Sequence, residues 1–208
     1  MFWILFFMKK IKILDSAEGY DLAAQDYDKK EKYLNSFEKG KFLSLLPEIK
    51  NKKILDVGAG TGRVSLSLSL AGAQVTALDV SEKILEVLKR KNKNIITIVG
   101  EAENLPFEKE NFDVIVSAFL IVHLKDPKIF FDEVYRVLKP NGLFLVSNIN
   151  QKEPPVIKTK EGDIQIKSYY HRPEKIREIL EDLAFSIEKE EMIFEREVWV
   201  NQIVLAKK

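Results

Sequence analysis

From Lys53 onward the chain alternates short apolar runs with longer segments whose apolar residues recur every three to four positions. The runs KILDV (53–57), QVTALDV (74–80), NIITIVG (94–100), FDVIVSAF (112–119) and LFLVSNI (143–149) are nearly continuous in hydrophobic residues. That is the pattern of parallel strands covered on both faces. Between them, Ser81 precedes Ile84, Leu85 and Leu88, and Asp126-Pro127 precedes Phe130, Val134 and Leu138. Both stretches predict helices with an N-terminal cap, the second ending at Pro140-Asn141-Gly142. The segment VSLSLSLA (64–71) is in conflict with itself. Its strict alternation suggests a strand, but it follows a glycine turn, Gly72 stands where a helix would end, and a right-handed crossover needs a helix there. The prediction is a helix.

After residue 149 the pattern changes. PPVIKTKEGDIQIKSYY (154–170) alternates around Lys-Glu-Gly-Asp and predicts a β-hairpin. Pro173 opens a helix carrying Ile176, Ile179, Leu180 and Leu183, and strands follow at about 185–194 and 197–206. With no helix between them, these two strands pair antiparallel. Residues 20–47 predict helices anchored by Tyr27, Leu34, Phe37, Phe42, Leu45 and Leu46. The fold class is α/β, a doubly wound mixed sheet with an antiparallel edge.

At 208 residues the chain can bury one sizeable core. A net charge of +1 gives no global field toward nucleic acid or an anionic membrane. The absence of cysteine excludes disulfides, thiolate zinc sites and cysteine nucleophiles, and it fits a reducing, cytoplasmic setting. MFWILFFM (1–8) is an anomaly, far shorter than the roughly 20 residues that span a bilayer. Its lysines follow the apolar run instead of preceding it, unlike a signal peptide. Residues 1–7 read as a misassigned start ahead of Met8, a packing arm or oligomer contact, or a membrane tether.

The chemistry begins at ILDVGAGTGR (54–63), a strand running into a glycine turn. Such a turn presents backbone N–H groups and lets a ligand approach closely. Asp79, at the end of the next strand and about 20 residues on, stands where a carboxylate grips ribose hydroxyls. The dinucleotide fingerprint G-x-G-x-x-G/A would place a small residue at Arg63, so a pyrophosphate is disfavoured. Asp56 would repel a pyrophosphate but attract a cationic amino-acid cofactor.

These residues resemble the class I S-adenosylmethionine-dependent methyltransferases, and within them the type 11 small-domain group, from about Tyr20 to the C-terminus. LDVGAGTGR resembles the first motif (Asp56, Gly58, Ala59, Gly60, Gly62) and ALDVS the second. The resemblance implies that Asp79 binds both ribose hydroxyls and that Val80 packs on adenine. GEAENLPFEKENFDVIVSAF (100–119) resembles the third and fourth motifs, implying that Glu101 and the Ala102 backbone meet the adenine edge and that Ser117 and Ala118 line the methionine end. YDLAAQDYD (20–28) resembles a lid placing Tyr20 and Tyr27 over the cofactor. RVLKPNGLFLVS (136–147), with Asn141 where glycine is usual, and YYHRPEKIREILEDLAF (169–185) complete the match. The implied fold is a Rossmann-like seven-stranded mixed sheet with an antiparallel C-terminal edge strand. Residues 1–47 would form an N-terminal arm and helical lid, 48–208 the cofactor-binding domain, and 152–170 a hairpin insertion after strand five.

The implied activity is methyl transfer from S-adenosylmethionine, leaving S-adenosylhomocysteine, to a small-molecule acceptor. A protein or RNA acceptor and a non-catalytic binding module are the alternatives. The near-zero charge disfavours nucleic acid, and strand four lacks the Asn/Asp-Pro-Pro-Tyr/Phe signature of base and glutamine methylases. No metal site is expected. His123, just past strand four, is either a general base or a polar residue closing the pocket wall. Tyr169, Tyr170 and His171 either line a substrate mouth or pack. The lysine runs at 50–53 and 89–93 read as solvated faces. The acceptor and the oligomeric state stay open.

Overall fold

The computed structural model describes residues 11–208, so the readings made for residues 1–7 lie outside it. The chain begins with a short strand β1 (Lys12–Leu14), followed by helix α1 (Ser16–Ala23), which the Asp15 carboxylate caps by accepting the Glu18 N–H. A 3₁₀ segment (Ala24–Lys30), α2 (Glu31–Glu38) and α3 (Lys41–Ser44) lead to β2 (Lys53–Val57). Then come α4 (Arg63–Leu70), β3 (Gln74–Asp79), α5 (Glu82–Lys91), β4 (Ile96–Val99), β5 (Phe112–Ser117), a 3₁₀ turn (Ile121–His123) and α6 (Pro127–Val137). The chain closes with β6 (Leu138–Ile149), β7 (Val156–Thr159), β8 (Gly162–Ile166), α7 (Pro173–Asp182), β9 (Ser186–Glu195) and β10 (Val198–Lys207).

The main sheet has the order β4-β3-β2-β5-β6-β10-β9. Its strands are apolar throughout because both faces are covered. One face packs Leu55, Val57, Ile115 and Phe144 against α6 and α7, through Phe130, Val134 and Leu180. The other packs Ile54, Val75, Ala77 and Val116 against Phe42, Leu68 and Leu88. The order reverses between β2 and β5, which opens a crevice at the carboxyl ends of the strands.

Three details depart from the sequence reading. The C-terminal strand β10 is antiparallel, but it lies one place in from the edge, between β6 and β9. Asn201–Ala206 are buried, so β10 takes the interior slot, and the charged β9 (SIEKEEMIFE) takes the edge. Leu138 leaves the helix: α6 ends at Val137 and Leu138 pairs with Phe112. Lys139, preceding Pro140, is steered away from the helical region. Finally, β1 was not foreseen. It pairs parallel to β8, and with the β7–β8 hairpin it makes a separate three-stranded sheet. Leu14, Ile157, Ile164 and Ile166 pack there against Ala23 of α1.

The ambiguous 63–70 segment is helical, and the cost of its alternation is visible: Leu70 is 88% exposed. The serines explain the rest. Ser65 is fully buried, and its hydroxyl donates to the Asp56 carboxylate at 2.6 Å.

Candidate functional site

The crevice holds a cavity of about 640 Å³ lined by the ends of β2, β3 and β5, the β4–β5 connection and α1. Gly58 and Gly60 turn the chain at φ 73° and 55°, the left-handed region where other residues are strained. The Gly58 and Ala59 N–H groups both donate to the Leu78 carbonyl, tying the turn to β3. Asp79, 8% exposed, accepts the Gly60 N–H at 2.9 Å and the Ser81 N–H at 3.0 Å. Burial pushes its pKa up, and these N–H groups hold it down in part. Its partners are backbone donors, so a carboxylate rich in unused lone pairs faces the cavity.

A second cavity, about 290 Å³, shares Tyr20, Tyr27, Phe119 and His123 with the first. Tyr33, Leu34 and Phe37 close one side, and Asn150 to Glu153, Pro155, Ile157 and Ile166 the other. Phe119 faces Phe37 edge-on at 6.3 Å, and Tyr20 faces Tyr27 at 5.7 Å. The Oδ1 of Asn150, a lining residue, is buried with no hydrogen-bond partner.

The structure brings Tyr20, Tyr27, Gly58, Gly60, Asp79, Val80, Glu101, Ala102, Ala118 and His123 to the larger cavity. Four other residues of the motifs do not line it. Asp56 lies beneath the turn, 1% exposed and held by Ser65, where burial pushes its pKa up to about 6. Ser117 is buried and donates to the Val57 carbonyl. Gly62 caps α4 at φ 94° and packs against Leu88. Ala59 is buried in the core on the far side of the turn.

Tyr169, Tyr170 and His171 line neither cavity. Two of them brace the turn that carries His123: the Tyr169 N–H donates to the Val122 carbonyl, and His171 Nε2 lies 3.0 Å and 2.9 Å from the Ile121 and Leu124 carbonyls. Tyr170 packs near Trp199 instead.

Several lining residues escaped the sequence reading. Asp15 lines the larger cavity while capping α1. Phe119 lines both cavities at φ 61°, a conformation that no sequence pattern signals. Arg63 has a specific role beside them. Its guanidinium donates to both Glu38 oxygens at 2.6 Å and 2.8 Å and to Asn35, and it stacks 5.3 Å from the Phe119 ring. It therefore ties α2 to the glycine turn. Lys91, read as part of a solvated run, bonds the Thr61 carbonyl in that turn and Asp28 of the 3₁₀ segment.

Among the described residues no helix is long and apolar enough to cross a membrane, and no cluster of three or more His, Asp or Glu is placed to hold a metal.

Residues 55–146 match the sequence family described as "Methyltransferase domain". The chain is similar to a demethylmenaquinone methyltransferase of Staphylococcus haemolyticus, 42% identical over 51% of this chain and 47% of that protein. It is 35% identical to one from Staphylococcus epidermidis over 72% of this chain and 64% of that protein. The chain thus spans about half to just under two thirds of the length of these relatives. By fold it is similar to an S-adenosylmethionine dependent methyltransferase of Mesorhizobium loti, with a TM-score of 0.72, 20% identity, and 84% of this chain and all of that one covered. It is also similar to magnesium protoporphyrin IX methyltransferase of Synechocystis with bound S-adenosylmethionine, with a TM-score of 0.61, 20% identity, and 89% and 79% covered.

Proposed function

We propose that this chain, whose residues 55–146 belong to the methyltransferase domain family and whose fold is that of the class I S-adenosylmethionine-dependent methyltransferases, transfers a methyl group to a small aromatic molecule. The observation that carries the proposal is the pair of cavities meeting at one aromatic wall, with the Asp79 carboxylate on one side and an apolar chamber on the other.

The larger cavity suits S-adenosylmethionine. Its volume lies within the usual range for small-molecule sites. Asp79 offers lone pairs to ribose hydroxyls, and the Gly58–Gly60 turn leaves no Cβ to obstruct approach. Val80, Ala102 and Glu101 would meet the adenine, and Ala118 the methionine end. Asp56 supports the turn through Ser65 instead of touching the ligand. When bound, this cofactor supplies an activated methyl on a sulfonium, and S-adenosylhomocysteine is what remains.

The protein's contribution is to hold an acceptor in line and to exclude water. Tyr27, Tyr33, Phe37 and Phe119 present ring faces and edges to a flat apolar guest. Relatives named for a small-molecule acceptor support the same reading. The helices of residues 16–44 and the 156–166 hairpin act together as the cover of the acceptor site.

Calorimetry with S-adenosylmethionine tests the cofactor assignment. Losing charge-assisted hydrogen bonds worth about 1.5–3 kcal/mol, Asp79→Ala should bind roughly ten- to a hundredfold more weakly. Unchanged affinity would remove Asp79 from the site and the assignment with it.

A further inference from the structure

Tyr20 and His123 stand in the wall common to both cavities, and their polar atoms meet each other. His123 Nδ1 lies 3.0 Å from the Lys167 carbonyl oxygen. A carbonyl only accepts, so Nδ1 carries the hydrogen and Nε2 presents a lone pair. The Tyr20 hydroxyl, 2.6 Å from Nε2, therefore donates to it. Lys167 follows β8, so the hairpin predicted from the sequence sets the imidazole's tautomer.

We propose that Tyr20 and His123 form a proton relay that activates a hydroxyl-bearing aromatic acceptor in the smaller cavity, an inference resting on the methyl-transfer reading above. The acceptor's O–H bond breaks and its proton passes to Tyr20 Oη. The Tyr20 proton moves to His123 Nε2, leaving an imidazolium that still donates from Nδ1 to Lys167. The electron pair left on the acceptor makes its oxygen, or a ring carbon conjugated with it, the atom that bonds the methyl. Where that atom is carbon, the ring regains its aromaticity when the carbon's hydrogen leaves as a proton to water and the imidazolium returns its own proton through Tyr20 to the oxygen, so that one proton is released overall. The positive charge given up by the methyl donor is matched by the one that appears on the imidazole.

Tyr20 is the member that touches the acceptor, and His123 acts through it. The environment suits both parts. Burial holds the His123 pKa below its ordinary value, partly offset by the Lys167 bond, so the ring is a neutral base near pH 7. Burial also holds the Tyr20 pKa high, so its hydroxyl passes a proton on instead of losing one outright. The charged groups facing the pair are Asp15, Asp79, Glu101 and Glu103 on the cofactor side, and Lys152 and Glu153 on the acceptor side. A hydroxyl suits this chamber better than an ammonium, because the pair itself bears no charge.

Two measurements test the relay. The chain has two histidines, and the geometry gives them opposite tautomers: Nδ1–H for His123, and Nε2–H for His171, which faces two carbonyls. Long-range proton–nitrogen spectra of [¹⁵N]histidine-labelled protein at pH 7 should show both tautomers. Tyr20→Phe should move the His123 Nε2 resonance alone, with His123→Gln giving the assignment. The second measurement follows methyl transfer from labelled S-adenosylmethionine to 1-naphthol and 1,4-dihydroxynaphthalene against pH. Wild-type kcat should rise through one ionisation below pH 6.5 and then level. Both variants should lose roughly 10²-fold or more in kcat, a loss far larger than any change in cofactor Kd, and His123→Gln should lose the ionisation.

An Nε2–H tautomer at His123, variants within threefold of wild-type kcat, or no turnover of either probe by cofactor-bound protein would each overturn the relay. A wild type that binds no S-adenosylmethionine would overturn the methyl-transfer reading beneath it.

Discussion

Replacing Glu38 by alanine isolates the joint between the N-terminal helices and the glycine turn. Glu38 and Arg63 form a two-pronged ion pair at 2.6 Å and 2.8 Å, with side chains only 7% and 17% exposed. Removing one partner of a buried pair typically costs 3–5 kcal/mol, because the other charge stays buried and unpaired. Arg63 keeps Asn35 and the Phe119 ring, so the low end, about 3 kcal/mol, is expected. For a chain of this size each kcal/mol moves Tm by about 2–4 °C, so the drop should be about 6–12 °C. Scanning calorimetry measures it. The double variant Glu38→Leu/Arg63→Met should recover much of the loss, since it leaves no orphan charge. The joint also holds Leu34 and Phe37 over the acceptor chamber, so Glu38→Ala should raise the acceptor KM more than it weakens cofactor binding. A Tm within 2 °C of wild type, or a double variant no better than the single one, would refute the claim that a desolvated pair fastens the cover.

Asp56 gives a pH signature. Its pKa is raised from 3.8 to about 6, so the folded protein binds a proton more tightly there than the unfolded chain does. Stability should therefore fall as pH rises from about 4 to 6 and then level, by up to about 3 kcal/mol from this group alone. In Asp56→Asn that fall should vanish from melts collected across the interval, and a persisting slope would assign it elsewhere. Gly19 marks where α1 presses on the small sheet, since an added Cβ would lie 2.5 Å from Ile166 Cγ1. Gly19→Ala should cost roughly 1–3 kcal/mol in denaturant unfolding, and Ile166→Ala in the same chain should relieve part of it. Equal stability of Gly19→Ala and wild type would mean that α1 shifts freely.

The core of the fold was legible because local chemistry and global burial agree there. Five apolar runs with capped helices between them can hardly be other than a doubly covered parallel sheet, and Asp126-Pro127 caps α6 as its spacing implies. Agreement failed where one residue served a distant partner. Ser65 breaks the apolar face of α4 because buried Asp56 needs a donor. Arg63 was legible only as a residue that is not glycine, because its partner Glu38 is 25 positions away. The lysine run at 89–93 concealed Lys91, which reaches across to Thr61.

By itself, then, the sequence determined the strands of the main sheet, the glycine turn and the acidic residue that ends β3, each written within a few consecutive positions by periodicity, turn geometry or capping. Tertiary structure alone decided which motif residues reach the cavity and which, like Asp56 and Ser117, support it from behind. It alone joined Tyr20 to His123 across 103 positions and fixed that ring through the Lys167 carbonyl. It alone folded β1 onto a hairpin 150 residues away in the chain. The physical reason is the same in each case. A hydrogen bond between distant residues leaves no period or local composition to read, and it exists only once the sheet has brought its two ends together.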